Sequence, residues 1–212
     1  MNRVATAPRA EESLAAMAKA LYARGWMEGT AGNLSVRLDD GRALITASGL
    51  SKGELTPDDM VLVEAETGSP LTPDGRRPSA ETCIHAALYR VFPGCGAVVH
   101  AHCPYGTAVS AGAGGNSVRF TGFEIIKGLG LADPSQVEVP VFANWADVPR
   151  IAHEVAERYA APGPGTPPVF LIEHHGATAW GPTLEAARNR LECLEALCRL
   201  HLITPRSSEE PR

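Results

Sequence analysis

Cysteine is scarce in this chain of 212 residues: there are five, at positions 83, 95, 103, 193 and 198, with no Cys-x-x-Cys pair. An odd number without framework spacing, in a chain long enough to build its own core, argues against a disulfide scaffold and for reduced core thiols. Long apolar runs are missing too. Nowhere do 18 consecutive apolar residues occur, and Met1 to Pro8 has no long apolar stretch behind its basic residues. This argues against a membrane-spanning helix and a secretory leader, and the expectation is a soluble cytoplasmic protein. Lysine and arginine are scattered, with a net charge of −5, so no basic stripe invites nucleic acid or an anionic membrane. Neither G-x-x-x-x-G-K-[ST] nor G-x-G-x-x-G occurs, and no nucleotide site is indicated. The partner left by these exclusions is a small molecule.

What is present suits one globular domain: 44% hydrophobic and 20% charged residues, with no internal repeat. The expected domain runs over 9–204, with 1–8 and 205–212 as flexible termini. Helical spacing of Leu14, Met17, Ala18, Leu21 and Tyr22 predicts a first helix from Glu11 to Arg24, closed by Gly25. A small-residue loop, Gly29 to Asn33, leads into alternating Leu34, Val36 and Leu38, and Ala43 to Thr46 returns as a second strand after Asp39-Asp40-Gly41. Met60 to Glu64 and Val137 to Phe142 read as strands, the latter with Pro140 at an edge or bend. Further helices are expected from Pro78-Ser79, with Ser79 as N-cap and Glu81 complementing the dipole, from Cys103 to Ser110, after Asp147, and from Thr183 to Leu202. Strands alternating with helices, hairpins among them, predict an α/β domain with a mixed or largely antiparallel sheet between helices.

The chemistry concentrates at two strand ends. Ala97-Val98-Val99-His100-Ala101-His102 reads as a buried strand whose alternation puts both imidazoles on one face, where they could share a divalent ion. Chance placement of seven histidines would give about 0.2 such pairs per chain. A second apolar run, Val169 to Ile172, ends in Glu173-His174-His175-Gly176, and alternation lets only one of those neighbours join the first two. Three histidines with a position left open are a catalytic rather than a structural zinc arrangement. Two loops rich in small and hydroxyl residues, Gly29–Asn33 and Thr46–Gly53, could face an anion with backbone N–H and side-chain O–H groups.

Five segments taken in order resemble the class II aldolase family of zinc-dependent sugar-phosphate aldolases, epimerases and dehydratases: Gly29 to Arg37, Thr46-Ala47-Ser48-Gly49, Pro78-Ser79-Ala80-Glu81, His100-Ala101-His102 and His175-Gly176. The resemblance covers about Glu11 to Leu202. It implies a single-domain three-layer α/β/α sandwich with a mixed, largely antiparallel central sheet, assembled as a homotetramer with sites near subunit interfaces. It implies one Zn2+ per subunit on His100, His102 and His175, choosing His175 over His174, and a sugar-phosphate substrate whose phosphate meets Asn33, Ser48, Gly49 and Ser79. Glu124-Ile125-Ile126-Lys127-Gly128 is similar to the dehydratase branch, in which the residue matching Glu124 is the proposed acid/base; Glu81 matches the acid/base position of the aldolases. Cys103 departs from the family, where serine more often follows the histidine pair. The competing expectations are an aldolase that cleaves a carbon–carbon bond and a non-catalytic scaffold of the same fold.

Overall fold

Side-chain alternation along one strand, Ala97–Ala101, sorts the molecule into layers. Ala97, Val99 and Ala101 point into one core, packed with Leu14, Leu21, Leu191 and Leu194; Val98 points into another, with Ile84, Leu88, Ile151 and Trp180. The structure, a computed structural model, describes residues 9–71, 75–114, 116–131 and 133–204. The termini expected to be flexible therefore lie outside the described residues.

Among the described residues the elements run α1 (Ala10–Tyr22), β1 (Asn33–Arg37), β2 (Arg42–Thr46), β3 (Met60–Glu64), α2 (Thr82–Val91), β4 (Ala97–Ala101), α3 (Pro104–Ala111), β5 (Ser117–Thr121), β6 (Gln136–Phe142), α4 (Val148–Arg158), β7 (Val169–Ile172), β8 (Gly176–Gly181) and α5 (Leu184–Ile203). The sheet order is β3-β2-β1-β4-β8-β7-β6-β5, and every pairing is antiparallel except β6 with β7. Helices α1, α3 and α5 pack on one face, α2 and α4 on the other. This is the α/β/α sandwich with a mixed, largely antiparallel sheet that the family resemblance implies. Each large apolar residue in those two cores contributes about 1.5–3 kcal/mol of transfer free energy. No helix among the described residues is long and apolar enough to cross a membrane.

Local signals held in several places. Helix α1 ends with Gly25 at a φ of 72°, Gly25 N–H on the Tyr22 carbonyl and Trp26 N–H on the Leu21 carbonyl, the bond pair of a Schellman closure. Asp147 stands at the N-cap of α4, but its side chain makes no cap bond.

Two expectations need correction. Helix α2 starts at Thr82 with Glu81 at the N-cap, two residues later than the expected cap at Ser79. Pro78 is bridged to Ala47, and Ser79 is tied into a local turn in which its carbonyl accepts from Thr82 Oγ1 at 2.6 Å. Such hydroxyl bonds compete with helical ones. The second concerns the stretch after the histidines, to which the sequence reading assigns no element and which forms the strand β8. Its residues, Gly-Ala-Thr-Ala-Trp-Gly, lack the β-branched run that usually signals a strand. Close packing explains the small side chains: a Cβ on Gly176 would stand 2.4 Å from the Ala101 carbonyl oxygen.

Candidate metal centre

The centre lies where neighbouring strands present one row of polar side chains toward α2. Asn33 of β1 and Thr178 of β8 are the cross-strand partners of His100 on β4. His100 is buried, with Nδ1 3.0 Å from Thr178 Oγ1. His102 lies just past β4, where its N–H bonds to the Trp26 carbonyl at 2.8 Å. His175 closes the three-residue turn between β7 and β8, its N–H on the Ile172 carbonyl. The residue before it, His174, takes a φ of 55°, has its N–H on Ser110 Oγ and leaves its side chain exposed. The turn therefore delivers His175, not His174, to the cluster.

One ligand atom from each of His100, His102 and His175 lies within 4.8 Å of the others. Glu81 completes the group: Oε2 is 3.3 Å from His100 Nε2 and Oε1 is 3.3 Å from His175 Nε2. His100 Nε2 and His175 Nδ1 are buried nitrogens without a hydrogen-bond partner, the state expected of groups arranged for something other than each other. Burial keeps His100 neutral, down to about 3, against the pull of Glu81, and burial also lowers His102. Burial alone would raise Glu81, but the imidazoles of His100 and His175 and the Asn33 amide bring it down to about 2. A neutral His100 beside an ionised Glu81 is a protonation state in which imidazole and carboxylate donors take a divalent cation.

The loops around the centre are tied together. Asn33 Nδ2 donates to Glu81 Oε2 at 2.7 Å, and Glu81 N–H reaches Ser79 Oγ at 3.3 Å. Ser48, exposed, donates its N–H to the Arg77 carbonyl, which sets the Ser48-Gly49 turn beside the Ser79 segment. Lys52, buried, donates Nζ to the carbonyls of Thr30 and Leu50 at 2.9 Å each and so joins the two small-residue loops. Burial lowers its pKa. Sequence reasoning gave Lys52 no role, and it missed His85, whose Nε2 is 2.6 Å from Asn33 Oδ1. A four-residue spacing of Glu81, His85 and Tyr89, one polar stripe on a helix otherwise read for its apolar face, was the available signal.

Glu124 is placed differently. It opens a 3-10 turn, Glu124–Leu129, with its side chain 83% exposed and bonded at 2.6 Å to Lys127 Nζ. The structure does not bring it to the three histidines. The cavity nearest this segment, about 480 Å3, is lined by Ile125 with Trp26, Tyr105 and residues of α5.

A three-imidazole, one-carboxylate centre on an α/β/α sandwich defines a class: an enzyme fold equipped to hold a catalytic divalent metal. The chain belongs to the class II aldolase and adducin N-terminal domain family, whose profile matches residues 12–202. A Microcystis aeruginosa (strain NIES-843 / IAM M-2473) protein named methylthioribulose-1-phosphate dehydratase is 46% identical over 190 residues, covering 88% of this chain and 92% of that protein. A Nocardia farcinica (strain IFM 10152) protein, bifunctional methylthioribose-1-phosphate isomerase/methylthioribulose-1-phosphate dehydratase by name, is 54% identical over 197 residues. That match takes in 91% of this chain but 35% of the longer protein, so the chain spans about a third of that relative. Among solved structures, the l-fuculose-1-phosphate aldolase of Thermus thermophilus superposes with a TM-score of 0.68 at 31% identity, covering 91% of this chain and 92% of the other.

Proposed function

We propose that the chain is a metal-dependent carbon–oxygen lyase that removes water from 5-methylthioribulose 1-phosphate, giving 2,3-diketo-5-methylthiopentyl 1-phosphate, a step of methionine salvage. The observation that carries this reading is the convergence of His100, His102, His175 and Glu81 in a chain whose full-length relative bears the dehydratase name. Residues 9–204 form the catalytic domain in this reading. His100, His102 and His175 would hold the ion, zinc being the expected one, though imidazole sites also accept iron, cobalt or nickel. A divalent ion there supplies Lewis-acid stabilisation of negative charge on the ketose oxygens, worth several kcal/mol of barrier.

The protein's own groups do the rest. Asn33, Ser48, Gly49 and Ser79 bind the C1 phosphate and orient the sugar. A carboxylate takes the C3 proton, leaving an enolate across C2 and C3. The C4 hydroxyl then departs with a proton from a carboxylic acid, as water, and the resulting C3 enol takes up a proton at C4 while its hydroxyl gives one up, becoming the 2,3-diketone. Glu124 is the proposed donor to the leaving hydroxyl, and Glu81 the second carboxylate. Since Glu124 stands exposed beside Lys127, its part requires the chain to bring it to bound substrate, and a homotetramer with centres near subunit interfaces is the assembly expected to complete the site. The expected location is the cytoplasm.

The test is product analysis with 5-methylthioribulose 1-phosphate. The wild-type protein should form the diketone, and Glu124→Gln should slow that by about 10²–10⁴-fold, the usual span of general acid–base catalysis. A triose phosphate and an aldehyde would instead establish the second reading, a sugar-phosphate aldolase, which Glu81 beside the histidines and the Thermus thermophilus likeness favour. Neither product would leave a non-catalytic scaffold.

A further inference from the structure

Behind Glu81 runs a file of short hydrogen bonds with no part in the proton transfers above. Tyr89 Oη is 2.6 Å from Ser35 Oγ, Ser35 Oγ is 2.7 Å from His85 Nδ1, His85 Nε2 is 2.6 Å from Asn33 Oδ1, and Asn33 Nδ2 is 2.7 Å from Glu81 Oε2. The file exists because two periods interlock: Glu81, His85 and Tyr89 recur every four residues along α2, and Asn33 and Ser35 alternate on the facing side of β1. Asn33, Ser35, His85 and Tyr89 are all buried, so none of them has water as a substitute partner.

Chemistry fixes the direction of every bond. An ionised carboxylate only accepts, so Asn33 turns its NH2 to Glu81 and its carbonyl oxygen to His85. That oxygen also only accepts, so the proton of His85 sits on Nε2. Burial keeps the ring neutral, down to about 4, and a neutral imidazole has one N–H. Nδ1 therefore accepts from the Ser35 hydroxyl, whose oxygen accepts in turn from Tyr89. All donors point one way, toward Glu81.

We propose that His85 is a positioning residue: supported from behind by Ser35 and Tyr89 in the Nε2–H tautomer that Asn33 Oδ1 requires, it fixes the Asn33 amide and so holds Glu81 as an acceptor facing the Nε2 atoms of His100 and His175. The turnover consequence rests on the function proposed above; the tautomer and the metal-binding consequence do not.

The experiment uses the full-length chain in three arms. In the 15N-histidine NMR spectrum of the metal-free protein, the resonances lost in His85→Leu should report a neutral ring protonated at Nε2 and bare at Nδ1; a ring protonated at Nδ1 overturns the proposal. In the second arm Co2+ alone is titrated without substrate. His85→Leu should weaken Co2+ binding by about 10–100-fold, the range for groups that orient metal ligands. His85→Gln, whose amide can still donate to Asn33, should recover much of it, with Ser35→Ala and Tyr89→Phe progressively milder. Equal losses in the Leu and Gln variants, or none in either, overturn the proposal. In the third arm the same variants should lower kcat for diketone formation with KM little changed. If no diketone forms even in the wild type, the proposed function fails while the first two arms still decide this inference.

Discussion

Glu81 and Glu124 are the two carboxylates assigned to proton transfer in the proposed reaction, and their surroundings are opposite. Glu81 is held from behind by Asn33 and faces two imidazoles, with its side chain 12% exposed; Glu124 stands in solvent with Lys127 as its partner. The first is an anion whose position the chain has already fixed. The second is a group whose surroundings, in the proposed reaction, bound substrate or an adjoining subunit would supply. Preorganisation stabilises developing charge because no reorganisation is needed at the moment of reaction, and it can be built only where the fold completes both sides of a side chain.

The widest effect should come from the Glu81 side. Stripping metal with a chelator, or His100→Ala, should lower turnover by about 10³-fold or more, since several kcal/mol of charge stabilisation corresponds to that factor. Steady-state rates with metal content measured on the same sample check this, and full activity in stripped protein would erase the distinction between the two regions.

A smaller effect should appear in stability. An imidazole in the unfolded chain takes up its proton near pH 6.5, whereas His85 behind Glu81 does so only near pH 4. Between those values the unfolded chain binds more protons, so stability falls as pH falls through the window and is fully present above it. For this one group the change is about 3 kcal/mol. Denaturant melts of the metal-free protein between pH 4 and 7 should show the slope, and His85→Leu should make it shallower, with His100 and His102 supplying what remains.

The smallest effect belongs to the other side. Lys127→Ala breaks an exposed i,i+3 pair and should change thermal stability by less than about 1 kcal/mol. A larger loss would mean that the Glu124 turn is as consolidated as the Glu81 network, and the contrast would have to be redrawn.

The same contrast explains what could be read from the chain alone. His100 and His102 were legible because strand alternation is a rigid rule, and the layers followed from periodicity at Ala97–Ala101 and along the helices. His175 over His174 was not settled by spacing, since it depends on a residue at positive φ within a turn. The strand β8 was hidden because tight approach to β4 had selected glycine and alanine there, erasing the usual composition. Ser79 lost its expected cap role to a tertiary bridge at the neighbouring Pro78 and to a local turn with Thr82. His85 and Lys52 were passed over for a related reason: apart from the faint polar stripe that His85 shares with Glu81 and Tyr89, each looks ordinary in its own segment, and its partner lies 52 residues away in one case and 22 in the other.

The row that supports the centre joins residues 33, 100 and 178 across three neighbouring strands. Long loops must close before those strands can pair, and contacts so distant along the chain form slowly and late in folding. A partly folded chain therefore has no pocket for the ion that the proposed function calls for, and uptake of that ion during refolding would be a clock that starts only when the middle of the sheet has zipped shut.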